Sequence, residues 1–245
     1  MMITSKANPL VKHVRSLKEK KFRKDFGEFI VEGEKMVRES LSSSLERMVT
    51  IVSASYRGGT FSLPVLVVSD EVFAFLSDEK TPQGILSVLK IPSLAPLPCD
   101  EPCLLLDGIS DPGNMGTILR TANAAGYKRI YLADCTDPFS PKSVRASMSG
   151  IFFVELCVGT REEIVKTVNL PIIAADMGGE DVFSFCPPKA YILAIGNEAN
   201  GLSSFVREQA SHVVAIPMES TQESLNAAVS AGILMYTLKH NYQRR

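Results

Sequence analysis

Asn114 and Arg120 are the residues best placed for chemistry in this sequence. They follow a turn, Asp111-Pro112-Gly113-Asn114, at the exit of the apolar run Cys103-Leu104-Leu105-Leu106-Asp107. A continuous apolar run is what a parallel strand covered on both faces requires, and Asp-Pro-Gly-Asn is strong turn chemistry. Beyond it Ile118, Ala122 and Ala125 recur at helical spacing until Gly126, which offers a left-handed stop. The spacing makes Asn114 a candidate N-cap and puts Arg120 about two turns into the helix, at ~1.5 Å of rise per residue. Taken alone, the two residues also fit a plain helix cap and a solvated helix charge.

Two further segments repeat the design. Tyr191 to Ile195 is a second buried run, and it opens into Gly196-Asn197-Glu198-Ala199-Asn200-Gly201-Leu202-Ser203. A third, Val213 to Met218, leads into Glu219 to Asn226 and then the last helix. Three strand exits carrying Asn/Arg, Asn/Glu and Ser/Asn sets point to one shared pocket, since open α/β sheets gather ligands at such ends. The spacing excludes a nicotinamide dinucleotide fingerprint and a P-loop, because neither glycine pattern occurs. His13, His212 and His240 are scattered and match no ligand spacing, so no metal is expected.

In this order, Asn114-x-Gly116-x-x-x-Arg120-x-Ala122, Ile195-Gly196-Asn197-Glu198-x-x-Gly201-Leu202 and Ile216-Pro217-Met218 with Ser224-Leu225-Asn226-x-x-x-Ser230 resemble the three motifs of the SpoU/TrmH class of RNA ribose 2′-O-methyltransferases. Phe29 to Lys35 and Thr81 to Ile85 are similar to the accessory substrate-binding domain of the rRNA-acting branch. The resemblance implies an α/β protein: a small α/β RNA-binding domain, then a knotted parallel-sheet methyltransferase domain acting as a homodimer with S-adenosyl-L-methionine. Its substrate would be structured RNA, rRNA before tRNA; a catalytically silent RNA-binding relative is the other reading. Positions matching Gly196, Ile216 and Leu225 contact the cofactor in the family, and Asn197, Gly201 and Met218 extend that set. Asn114, Arg120, Glu198, Ser224 and Asn226 match the catalytic and substrate-orienting positions, although Glu198 also suits a purely structural role in closing its loop.

A guanidinium stays protonated in proteins, so Arg120 is expected to hold an RNA phosphate and stabilise a developing alkoxide rather than act as a base. A β-branched side chain at Gly196 is expected to fill the space where backbone meets the ligand without unfolding the domain.

The elements that must position these residues fall on either side of a proline-rich stretch, Pro92 to Pro98. Residues 1–90 read as the small domain, 91–99 as the linker and 100–245 as the methyltransferase domain. Expected elements before the linker are strands Phe29–Val31, Val49–Val52, Val65–Val68 and Ile85–Leu89 and a helix from Glu34 to Leu41. After it come strands Leu104–Leu106, Ile130–Ala133, Phe152–Cys157, Ile172–Ala174, Ile192–Ile195 and Val213–Ile216, alternating with helices, which calls for a parallel sheet. In the last helix Leu225, Ala228, Val229, Ile233 and Tyr236 form an apolar face suited to a core or a subunit interface.

A formal charge of −1 over 245 residues hides an asymmetry. Residues 1–24 hold Lys6, Lys12, Arg15, Lys18, Lys20, Lys21, Arg23 and Lys24 against Glu19 alone. Such a segment suits phosphate, with Lys12, Arg15, Lys20, Lys21 and Arg23 as candidate RNA contacts; Leu10, Val14 and Leu17 at helical spacing suit a core-facing helix at the same time. Its deletion is expected to weaken RNA binding and leave the cofactor site intact. Five cysteines without a CxxC pair indicate neither a disulfide framework nor a zinc ribbon, and Asp100-Glu101-Pro102 argues against a helix joining Cys99 to Cys103. With no apolar run approaching the ~20 residues of a membrane span and no signal-peptide core, a cytoplasmic chain is expected.

Overall fold

The apolar runs pair into two sheets with helices packed on them. The computed structural model describes residues 2–59, 64–197, 199–219 and 224–244. In the first part, helices α1 (Pro9–Ser16) and α2 (Lys20–Phe26) precede β1 (Glu28–Glu32), α3 (Glu34–Ser40), β2 (Arg47–Ser53), β3 (Leu66–Val68), α4 (Asp70–Leu76) and β4 (Ile85–Lys90). The sheet order is β1-β4-β2-β3, with β4 antiparallel to both neighbours and β2 parallel to β3. Val11 and Val14 of α1, followed by Leu17, are buried with Ile51, Val72 and Phe73. The basic leading segment is therefore part of this core. The helical spacing of Leu10, Val14 and Leu17 suggests such a core-facing helix, and deleting the segment would strip three buried aliphatic side chains, Val11, Val14 and Leu17.

The second part runs β5 (Cys103–Asp107), α5 (Pro112–Ala125), β6 (Arg129–Ala133), α6 (Pro141–Ser147), β7 (Glu155–Val158), α7 (Arg161–Val168), β8 (Ile172–Asp181), β9 (Ile192–Gly196), α8 (Ser204–Glu208), β10 (Ala210–Ala215) and α9 (Ala227–Gln243). All six strands are parallel, in the order β10-β8-β9-β5-β6-β7. The order reverses beside β5: the chain proceeds outward through β6 and β7, then returns on the other flank. Such a switch point opens a crevice at the carboxyl ends of the strands.

Two strand expectations are corrected. Phe152–Cys157 is not one strand; Gly150–Phe152 is a 3-10 turn and β7 begins at Glu155, because Met148 and Ser149 take left-handed backbone angles and redirect the chain. β8 continues well past Ala174 to Asp181, where Glu180 and Asp181 pair with Val214 and Ala215. At Gly179 a side chain would meet the backbone of Val214, so glycine permits the approach. Cys99 and Cys103 also influence each other without any helix: the neighbouring Cys103 holds the Cys99 thiol down at about 6, while Cys99 and burial push Cys103 up.

The two parts share packed surface. The Phe29 and Phe139 rings lie 4.8 Å apart, the Arg23 guanidinium reaches Asp137 at 2.6 Å, and Arg145 pairs with Glu79 at 3.0 Å. Among the described residues no helix is long and apolar enough to cross a membrane.

Candidate active site

β5 ends at Asp107, and the chain turns through Gly108 into α5. Asp111 rather than Asn114 caps the helix: its carboxylate accepts the Asn114 N–H at 2.9 Å, with Pro112 in the first turn. Lys142 at 2.9 Å and that N–H hold Asp111 below the usual carboxylate range. The expected cap is thus corrected by three residues, for a simple reason. An aspartate just ahead of the proline offers an anionic acceptor where the first amides of the helix need one.

Asn114, one turn in, accepts a hydrogen bond at 3.0 Å from the side-chain amide of Asn226. Asn226 is itself the N-cap of α9, its carbonyl oxygen accepting the N–H of Ala228 at 3.0 Å and of Val229 at 3.3 Å. The starts of the two helices are locked to each other by one asparagine pair. Arg120 is exposed on α5, and among the described residues it has no ion-pair or hydrogen-bond partner. The turn at Gly150 backs directly onto it; a Cβ there would lie 2.7 Å from the Arg120 Cα.

Beside this pair lies a cleft of about 410 Å³ lined by the middle of β8, by the exits of β9 and β10 and by the start of α9. All six residues expected to hold a cofactor line it: Gly196, Asn197, Gly201, Ile216, Met218 and Leu225, with Ser224 at the rim toward Asn226. Asn197 organises its loop. Its amide nitrogen donates to the Gly108 carbonyl at 2.7 Å, its side-chain oxygen accepts the Ala199 N–H at 2.8 Å, and its backbone bridges Gly201 in both directions. Gly196 lies so close under that bridge that any Cβ would collide with the backbone of Gly201 and Leu202. The space at Gly196 is therefore filled by the loop itself and not by a ligand, which corrects the expected reason for glycine there. Asp176 and Arg207 face each other at 3.2 Å across the outer wall. Glu198 lies outside the described residues.

Sequence reasoning missed Asp107. Only 1% exposed, it accepts the Ser203 N–H at 2.8 Å and is paired with Arg161 at 2.6 Å, so a buried carboxylate fixes the far end of the 197–203 loop. The available signal was a single charge closing an otherwise apolar strand run, since an ionised group is buried only when paired.

The candidate RNA contacts separate into two groups. Lys12, Lys20 and Lys21 are exposed. Arg15 is turned inward, donating to the Phe75 carbonyl at 2.8 Å and lying 4.8 Å over the Phe75 ring. Arg23 is a correction: 4% exposed, it spends its guanidinium on Asp137 and on the carbonyls of Leu17 and Lys18, leaving nothing for a phosphate. A basic residue in a basic run is buried here because an aspartate of the second part supplies its counter-charge.

The chain matches the SpoU rRNA Methylase family over residues 101–236 and the MRM3-like substrate binding domain over residues 8–87. It is 32% identical to an uncharacterized tRNA/rRNA methyltransferase of Synechocystis, covering 96% of this chain and 92% of that protein. To the 23S rRNA (guanosine(2553)-2'-O)-methyltransferase RlmP of Bacillus subtilis it is 29% identical, over 97% of this chain and 98% of the relative. Among solved structures, the AdoMet-bound rRNA methyltransferase of Sinorhizobium meliloti superposes with a TM-score of 0.87 at 29% identity, covering 98% of this chain and 97% of the other.

Proposed function

We propose that this chain, which belongs to the SpoU rRNA methylase family, transfers a methyl group from S-adenosyl-L-methionine to a ribose 2′-hydroxyl of rRNA at the cleft beyond β9 and β10. The observation that carries the reading is the Asn226–Asn114 hydrogen bond, which fastens the helix bearing Arg120 to the rim of a cleft of cofactor size.

The cleft suits the cofactor. Its volume of about 410 Å³ falls within the range of roughly 300–1,000 Å³ common to small-molecule sites. Ile216, Met218 and Leu225 line it with apolar side chains for a purine, whose edge the amides and carbonyls around these residues read. When bound there, S-adenosylmethionine supplies an electrophilic sulfonium methyl. Arg120 remains cationic, holds a phosphate of the RNA and stabilises negative charge growing on the 2′-oxygen as it attacks. The oxygen–carbon bond forms as the carbon–sulfur bond breaks, and the hydroxyl proton leaves to an RNA phosphate, to Glu198 or to water. Asn114, Ser224 and Asn226 orient the ribose and Arg120.

Residues 1–90 bind substrate, 91–99 connect, and 100–245 carry out transfer along a knotted chain path, in the cytoplasm where rRNA is found. The chain works as a homodimer. Of the apolar face foreseen on α9, Ala228 enters the core while Val229 and Tyr236 point outward, the latter 54% exposed, and Met177 and Phe183 are exposed as well. Apolar surface of this kind supports self-association. Sedimentation equilibrium is expected to give twice the chain mass for the native chain and a monomer for Tyr236→Glu; a monomeric native chain would remove the dimer.

Transfer of tritium from S-adenosylmethionine to unmodified 23S rRNA, with tRNA in a parallel arm, tests the activity. Arg120→Ala is expected to lower turnover at least about a hundredfold while calorimetric cofactor affinity stays unchanged. Arg120→Lys is not expected to restore it, because an ammonium lacks the planar fork. Near-normal turnover in Arg120→Ala would return Arg120 to a solvated helix charge.

A further inference from the structure

Helix α2 carries an aromatic surface that the catalytic site does not use. Phe26 is 48% exposed, an uncommon state for phenylalanine beside lysines. Its ring runs nearly parallel to that of Phe22, with centroids 6.1 Å apart and planes 12° apart, and His13 closes edge-on at 4.6 Å. Lys21 lies 5.9 Å over the Phe22 ring, and Lys20 and Lys24 of the same helix and Lys12 of α1 are exposed. Glu19 and Asp25 are the exposed acids of this stretch, so cations prevail.

The position of this surface is fixed by Arg23, the one basic side chain of α2 that is buried. It fastens the helix to Asp137, in the loop leaving β6 at the carboxyl end of the sheet. The following helix α6 in turn sends Lys142 to Asp111, the cap of the helix that bears Asn114 and Arg120. Phe22 and Phe26 are thus tied, through two ion pairs, to the sheet edge at which the methyl group is transferred.

We propose that Phe26, with Phe22 beside it, stacks an unpaired base of the rRNA next to the target nucleotide while these lysines hold the flanking phosphates. The inference rests on reading the chain as an rRNA methyltransferase. Flat aromatic rings interleaved with cations are the recognition chemistry of single-stranded nucleic acid, because every base has a π-face and every linkage a charge. A lipid surface would use the cations but has no planar ring array to match two nearly parallel ones.

The test separates stacking from charge. Binding of the full chain to a short fluorescein-labelled oligouridylate is followed by anisotropy across a salt series, beside a blunt RNA duplex. Phe26→Ala is expected to weaken oligouridylate binding about tenfold or more with the salt slope unchanged, and Phe26→Tyr to retain it. Lys20→Gln with Lys21→Gln is expected instead to lower the slope by about 1.4, at roughly 0.7 per lost phosphate contact. Binding to the duplex is expected to be indifferent to Phe26→Ala. Unchanged oligouridylate affinity in Phe26→Ala, an equal loss on the duplex, or no binding by the native chain would each overturn the proposal. Methyl transfer to 23S rRNA by the native chain, measured separately, reports on the activity itself, so a failure of the stacking site is distinguishable from a failure of the functional reading.

Discussion

The two ends of the six-stranded sheet are built from the same strands and treat polar groups in opposite ways. At the amino end, around the starts of the central strands β5 and β9, polar groups are sealed. The Tyr127 and Tyr191 hydroxyls bond each other at 2.6 Å, the Cys103 thiol donates to the Tyr191 carbonyl at 3.6 Å, and Tyr131 donates to the Leu97 carbonyl at 2.6 Å. Burial pushes the Tyr191 hydroxyl up to about 12 and Tyr127 higher still. At the carboxyl end the side chains of Asn114, Asn197 and Asn226 meet one another or a loop backbone beside an open cleft, while the buried Asp107 and the largely buried Asp137 are each held by an arginine, Arg161 and Arg23. The difference teaches what each end is for. Closed hydrogen bonds away from water stabilise, whereas polar groups left around a cleft are available to a ligand.

The largest effect expected from this contrast is at Gly196. Gly196→Val is expected to abolish binding of S-adenosylhomocysteine in calorimetry, and Gly196→Ala to weaken it at least about a hundredfold, near 2.7 kcal/mol. Even one methyl group collides with the Gly201 and Leu202 backbone, so the whole 197–203 loop must move. Alanine tolerated at full affinity would show that loop and strand do not need this approach.

A smaller and opposite effect is expected at the sealed end. Tyr191→Phe removes one partner of a buried hydroxyl pair, and chemical denaturation is expected to show a loss of about 1–2 kcal/mol. Methyl transfer and cofactor affinity should not change. A loss of activity at preserved stability would break the comparison, because the amino end would then be coupled to the site.

Much of this was legible in the sequence, for reasons that can be named residue by residue. Cys103 to Asp107 and Ile192 to Gly196 read as buried parallel strands because a strand covered on both faces tolerates no polar interruption, and both lie in the middle of the sheet. Gly126 ends α5 with a φ of 78° because glycine alone adopts it without strain. The polar sets at the strand exits, Asn114 with Arg120, Asn197, and Ser224 with Asn226, could be singled out from type and position, whereas the cofactor roles expected of Gly196, Gly201, Ile216, Met218 and Leu225 came with the resemblance to the SpoU/TrmH motifs.

What the sequence by itself determined, then, was the set of local elements and the polar residues at their ends, because periodicity, turn chemistry and capping act over a few neighbouring residues. Tertiary structure alone decided which of those residues meet. The Asn226 amide on Asn114, the Asp107 carboxylate on Ser203 and the burial of Arg23 against Asp137 each join positions about a hundred residues apart. A charge in a basic run looks the same in sequence whether it faces water or an aspartate from the other sheet. Only packing supplies the counter-charge, and with it the difference between a phosphate ligand and a structural anchor.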